Sequence, residues 1–241
     1  MKARPVKKLD PARPLGENAA RIIKVRLGEL LDFTPKALER DAVKAQHDMR
    51  ITAKRLRYVL EVTGFCFGRP ADTARRRARD LQDILGEIHD CDVMLPRVLQ
   101  HLSELQAADA EAVLRKAGDT PDLDPRLAAQ APNRTAYRGL DVLAVYLRAR
   151  RQVLHNRFVA FWRRQEETGT WVRLEKSVDG YLRKARAARR AAKEAERAQA
   201  ELEAVDRARR EAAKRAERAQ RERERARGAV SRRSARPRRP R

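Results

Sequence analysis

His47, Arg50, Lys54 and Arg57 stand three, four and three residues apart in the stretch HDMRITAKRLRY. On a helix, at about 100° per residue, these four project along one line over roughly three turns. Tyr58 and Ile51 sit at its edge. Met49, Ala53, Leu56 and Leu60 fall on the far side and read as a buried arc. Like charges at these spacings repel one another, so the line needs a reason. One reason is pairing with carboxylates of a neighbouring helix, for which Asp83, Glu87, Asp90 and Asp92 are candidates. The other is an anion site. Lys and Arg donate strong hydrogen bonds to phosphate oxygens, and a histidine beside them switches charge near neutral pH.

Similar basic groups recur. Arg21 and Lys24 lie on a first helix. Arg75, Arg76 and Arg79 open a third, where the helix N-terminus also favours an anion. Arg148, Arg151 and His155 form a second line on a long helix. Together these groups make an extended positive surface suited to a phosphate chain. Arg55 lies off the stripe and is expected to hold the fold by pairing with Asp90 or Asp92. The letters of His89, Asp90, Cys91 and Asp92 are those of metal ligands, but adjacent helical residues diverge by about 100°, so no metal site is expected. No phosphate-binding glycine loop, nucleophile elbow or zinc spacing occurs. No catalytic residue and no cofactor is assigned.

The elements that must position these groups are helices. Apolar residues recur at three- and four-residue steps from about Glu17, with Pro35 expected to interrupt. A second helix is expected over 41–63, ended by Gly64, Gly68 and Pro70. A third starts near Asp72 and is kinked or divided at Pro96. A proline-bearing loop follows at about 117–134, then a long helix over 135–165 and a short amphipathic piece over 171–182. Strand alternation and hairpin turns are absent, so residues 15–182 are expected to form an all-α antiparallel bundle. Residues 1–14, with three prolines, read as a basic extended arm.

Of 241 residues, 57 are Lys or Arg and 34 are Asp or Glu, a net charge of +23. A chain so basic seeks polyanions. Residues 183–241 hold 23 basic and 9 acidic residues; they are expected to be a solvated helix or weak coiled coil, fraying into an unstructured end from Arg227. Two cysteines suit a reducing cytoplasm. No secretory leader is visible, and no apolar run approaches the roughly 18–20 residues that span a bilayer, so no membrane partner is expected. Aromatics are only 5%, which disfavours base stacking. Nucleic acid or nucleoid binding through the basic tail is the alternative reading.

HDMRITAKRLRY followed by LQDILGEIHDCDV resembles the CHAD family, the conserved histidine α-helical domain. The residues that carry the resemblance are His47, Arg50, Lys54, Arg55, Leu56, Arg57 and Tyr58, then Leu81, Gln82, Asp83, Leu85, Gly86, Asp90 and Asp92. It extends over roughly residues 15–165. It implies helical bundles, often two related by pseudo-twofold symmetry, whose basic surface binds inorganic polyphosphate without catalysis. It also implies a cytoplasmic protein, at polyphosphate granules or the nucleoid. Arg148, Arg151 and His155 only loosely echo the histidine motif, so a shortened second half is expected. The sequence leaves the oligomeric state open.

Overall fold

The computed structural model describes residues 2–119 and 122–234, with the backbone alone for 223–234. It contains six α-helices and no strand among these residues: α1 Leu15–Ala37, α2 Val43–Thr63, α3 Arg69–Ala117, α4 Pro125–Ala129, α5 Arg134–Glu167 and α6 Thr170–Ser234. Residues up to Arg183 form one compact unit and those from Lys184 a second.

In the first unit, α2 packs between α1 and α3, and α3 packs against α5. The core takes Ile23, Leu27 and Leu30 from α1, then Met49, Ala53, Leu56 and Leu60 from α2. Leu81, Leu85 and Ile88 come from α3, Leu154, Phe158 and Trp162 from α5, and Trp171, Leu174 and Val178 from the start of α6. Fully burying one such side chain contributes about 1.5–3 kcal/mol. Each like-charge pair on the α2 stripe costs only about 0.2–0.5 kcal/mol. Burial of the α2 core arc therefore decides that α2 is helical despite its charge.

Pro35 does not end its helix as expected, and of the two outcomes expected at Pro96, a kink or a division, the division does not occur. Pro35 lies inside α1, and Pro96 inside the 49-residue α3. A proline removes one backbone hydrogen bond and costs about 3 kcal/mol in a helix interior, yet packing on both sides of each proline keeps the helix whole. Around Pro96, Val98 is buried and Leu95 packs against the core. Likewise α6 begins as the short amphipathic piece and runs on without a break to Ser234, so the stretch from Arg227 is helical as far as it is described. Residues 235–241 lie outside the described residues. The expected loop after α3 holds the short helix α4, whose N-cap Asp124 accepts the N–H of Arg126.

The N-terminal arm is pinned along α1. The Arg4 N–H donates to buried Glu29, and the Asp10 N–H donates to Asn18, whose amide returns a bond to the Asp10 carbonyl. At the other end of the core, the Ser177 hydroxyl donates to the Phe67 carbonyl at 2.8 Å. Tyr181 lies over Gly16 and meets Phe67 edge-on at 5.3 Å. Glycine at the α3 start is set by backbone geometry: Gly68 has φ +67°, and Pro70 occupies the first helical turn. From Lys184 to Glu222 nearly every side chain is exposed. Pairs such as Arg221–Glu217 at 2.6 Å dress this surface.

A methyl group on Gly16 would overlap the Tyr181 ring and hydroxyl. Overpacking of this kind costs about 1–3 kcal/mol, more than the helix propensity that alanine gains near a helix end. Gly16→Ala is expected to lower the thermal midpoint in a calorimetric scan, and Tyr181→Ala in the same chain is expected to remove the clash.

Candidate polyanion site

The α2 stripe does not stand alone. The His47 ring lies 4.6 Å, centroid to centroid, from that of His89 on α3. The Arg50 Nε lies 3.7 Å from where a Cβ on Gly86 would be. Both contacts have residue numbers that sum to the same value, which fixes an antiparallel register. Carried one and two turns further, that register sets Lys54 opposite Gln82 and Arg57 opposite Arg79. The spacing of Gln82, Gly86 and His89, four then three, is the mirror of the His47, Arg50, Lys54 spacing. Two packed helices leave a shallow groove along their seam, and on this register the two faces border it. A Cβ at Gly86 would already be in van der Waals contact with the Arg50 guanidinium.

Several polar atoms in this groove are buried without a protein hydrogen-bond partner among the described residues. They are His47 Nδ1, Arg50 Nε, Arg57 Nε and Gln82 Oε1. Arg57 lies 3.2 Å from Glu61 Oε1, close enough for charge pairing though poorly aligned for a hydrogen bond, and its guanidinium stacks 4.8 Å from the Tyr58 ring centroid. Lys54 is exposed, with Nζ 5.8 Å from the same ring. Tyr58 thus packs against two cations rather than waiting as a platform for bases. Unpaired buried donors are costly, and an anion laid in the groove would satisfy the Nε–H groups of Arg50 and Arg57, though not Gln82 Oε1, which is an acceptor.

Burial lowers the pKa of His47, and the neighbouring His89 lowers it further, Arg50 adding a smaller push in the same direction; Asp48 opposes them. His47 is therefore a neutral donor or acceptor in the free protein at neutral pH. His155 is also lowered, first by burial and then by Arg151.

The other sequence candidates divide sharply. Arg151 does not line an open surface. Its guanidinium pairs with Asp92 on α3, donates to the Arg40 carbonyl at 2.9 Å and to Gln46 Oε1 at 3.1 Å. It staples α5 to α3 and to the α1–α2 turn. Asp92 is thus an ion-pair residue, but its partner is Arg151, where Arg55 was expected. Arg55 is half-buried and Asp90 exposed. His155 is only 6% exposed and packs edge-on to Phe158. The second line therefore collapses into the core, and only Arg148 of it is exposed. The spacing that made it look like a stripe is the spacing of a helix that happens to be buried on that side.

On α1, Lys24 is bound to Asp179 of α6 at 2.7 Å, and half-buried Arg21 lies 4.0 Å from Glu17. On α3, Arg75 and Arg76 share Asp72 at 2.9 and 2.7 Å, and Arg79 lies 3.9 Å from Asp83. These three arginines remain open to solvent and extend the groove towards the α3 N-terminus; Arg75, Arg76 and Arg79 line an open depression of about 490 Å³ with Asp80 and Asp83. Sequence reasoning missed His89, Gln82 and Gly86 as the second wall. The signal was the mirrored spacing, hidden because His89 stands among metal-like letters. No group of three or more potential metal ligands converges among the described residues. No helix among them is long and apolar enough to cross a membrane.

The family model of the CHAD domain matches residues 2–99. No curated protein and no solved structure matches the chain. The matched span takes in both walls of the groove and ends inside α3. It leaves out α5, and with it Arg148, Arg151 and His155.

Titration of His47 followed by NMR should give a pKa below the ordinary 6.5, and His89→Asn should move it upward, since one of two mutually repelling imidazoles is gone. Because the unfolded chain takes up these protons first, folding stability is expected to fall as pH drops below about 6.5, until the folded-state value is passed. A His47→Asn, His155→Asn chain should lose less stability over that window in urea titrations.

Proposed function

We propose that this protein binds inorganic polyphosphate, without catalysis, in the α2–α3 groove. The CHAD domain matched by residues 2–99 is a family associated with polyphosphate binding. The observation that carries the reading is the Arg50 guanidinium. It is held over Gly86 beside the His47–His89 pair, with a buried Nε–H that has no acceptor among the described residues. A linear phosphate chain supplies what this geometry lacks: repeated negative oxygens along a line, with no base to read. Arg50 and Arg57 would fork onto phosphate oxygens. Lys54 adds a mobile charge, and Arg75, Arg76 and Arg79 extend the track. His47 and His89 would close its end. Such a ligand suits a cytoplasmic protein at polyphosphate granules.

Replacing Arg50 and Lys54 together by Ala in the full chain should weaken binding of long-chain polyphosphate at least tenfold, since each lost charge-assisted hydrogen bond is worth about 1.5–3 kcal/mol. The dependence of log affinity on log salt should flatten by roughly one to two units, because two fewer counterions are released. An unchanged affinity and slope would locate binding on the tail instead. A phosphate chain beside His47 also favours its imidazolium, so binding takes up protons. Affinity should therefore rise as pH falls from 7.5 to 5.5 in calorimetric titrations, and His47→Asn should reduce that rise.

A further inference from the structure

α5 carries two apolar stripes, and the bundle uses one. The inner stripe, through Leu147, Leu154, Phe158 and Trp162, is buried in the core. The outer stripe is Val142, Tyr146, Ala149 and Val153, with Val145 at its edge. The four large residues are 63%, 54%, 66% and 64% exposed, Val145 being the last, and Ala149 is exposed as well. Scattered exposed valines need no explanation. Three large apolar residues and Ala149 within twelve positions, at steps of four, three and four, have the spacing of a helix seam that pairs with another helix.

We propose that a second copy of this chain docks on this seam, with the two α5 helices antiparallel across a two-fold axis. Three observations favour a copy over a different protein. First, the spacing is palindromic. Reversing the helix superposes the seam on itself, with Val142 opposite the second copy's Val153 and Tyr146 opposite its Ala149, large against small. An isologous interface requires this self-match, and a foreign partner does not.

Second, charge singles out this face. Residues 94–147 hold seven acidic and six basic side chains in a chain of net +23. Next along α5, Arg148 is exposed, while Arg150 and Arg151 are held by Glu87 and Asp92. Two copies so basic repel one another less across such a near-neutral stretch than across the strongly basic remainder of the chain. Third, the size fits. The seam exposes on the order of 400 Å² of apolar surface, at the scale of functional patches. That is about half of the roughly 800 Å² per partner in a standard interface, leaving the rest to a polar rim. A dimer would also bring two grooves to one polymer, which raises avidity without a new contact.

Sedimentation equilibrium of the full chain without ligand tests this. The expected mass is twice 27.7 kDa. Val142→Glu and Val153→Lys, each alone, should weaken the dimer at least tenfold. The double variant should recover it, because each introduced carboxylate then faces an introduced ammonium of the other copy. Both positions are about two-thirds exposed, and an unchanged thermal melt by circular dichroism verifies that the variants fold. A monomeric parent chain overturns the proposal. So does a dimer that survives either single substitution, which is held elsewhere, or a double variant that fails to recover.

Discussion

The structure turns on the antiparallel packing of α2 against α3. It sets the like-charged residues of α2 against a face that does not neutralise them. The carboxylates of α3 that might have done so are turned away: Glu87 reaches Arg150 and Asp92 reaches Arg151, both on α5. What faces Arg50 is a glycine, and what faces His47 is another imidazole. The interface is stable because the apolar arcs beneath, Met49, Leu56 and Leu60 with Leu81, Leu85 and Ile88, bury completely or nearly so. The core thus tolerates a run of like charge along α2, which an anion bound there, as proposed, would relieve.

The remaining ion pairs serve that arrangement. Arg151 fastens α5 to both α3 and the α1–α2 turn, and Lys24 ties α1 to α6. The arm is held by Glu29 and Asn18. Each of these pairs has a partner within the fold, so each is a restraint rather than a reader of ligand. This divides the basic residues into two kinds that composition cannot separate. Cations held by another helix, such as Arg151 and Lys24, fasten the bundle. Arg57, Arg75 and Arg76 have carboxylates only on their own helix, and the Arg50 Nε–H has no partner among the described residues.

Much of this was legible from residue order. Helix periodicity placed α1, α2 and α5, and the wheel separated Met49 and Leu56 from Arg50 and Lys54. The two motifs of the CHAD family lie within the matched span. What could not be read was tertiary. Pro35 and Pro96 look like breaks, because a sequence shows the lost hydrogen bond and not the packing that offsets it. Arg148, Arg151 and His155 have the spacing of a stripe, but which side of α5 is buried depends on helices far away in sequence. His89 read as one of four metal-like letters and Gly86 as part of a motif; that they face His47 and Arg50 shows only once α2 lies across them.

The side-chain Nε–H resonance of Arg50 reports the central claim most directly. In nitrogen-detected or proton–nitrogen spectra of the full chain, adding inorganic polyphosphate should shift this signal, together with the ring signals of His47 and His89, and slow its exchange with water. An Arg50 signal that stays in place while shifts are confined to residues after Lys184 would contradict the account.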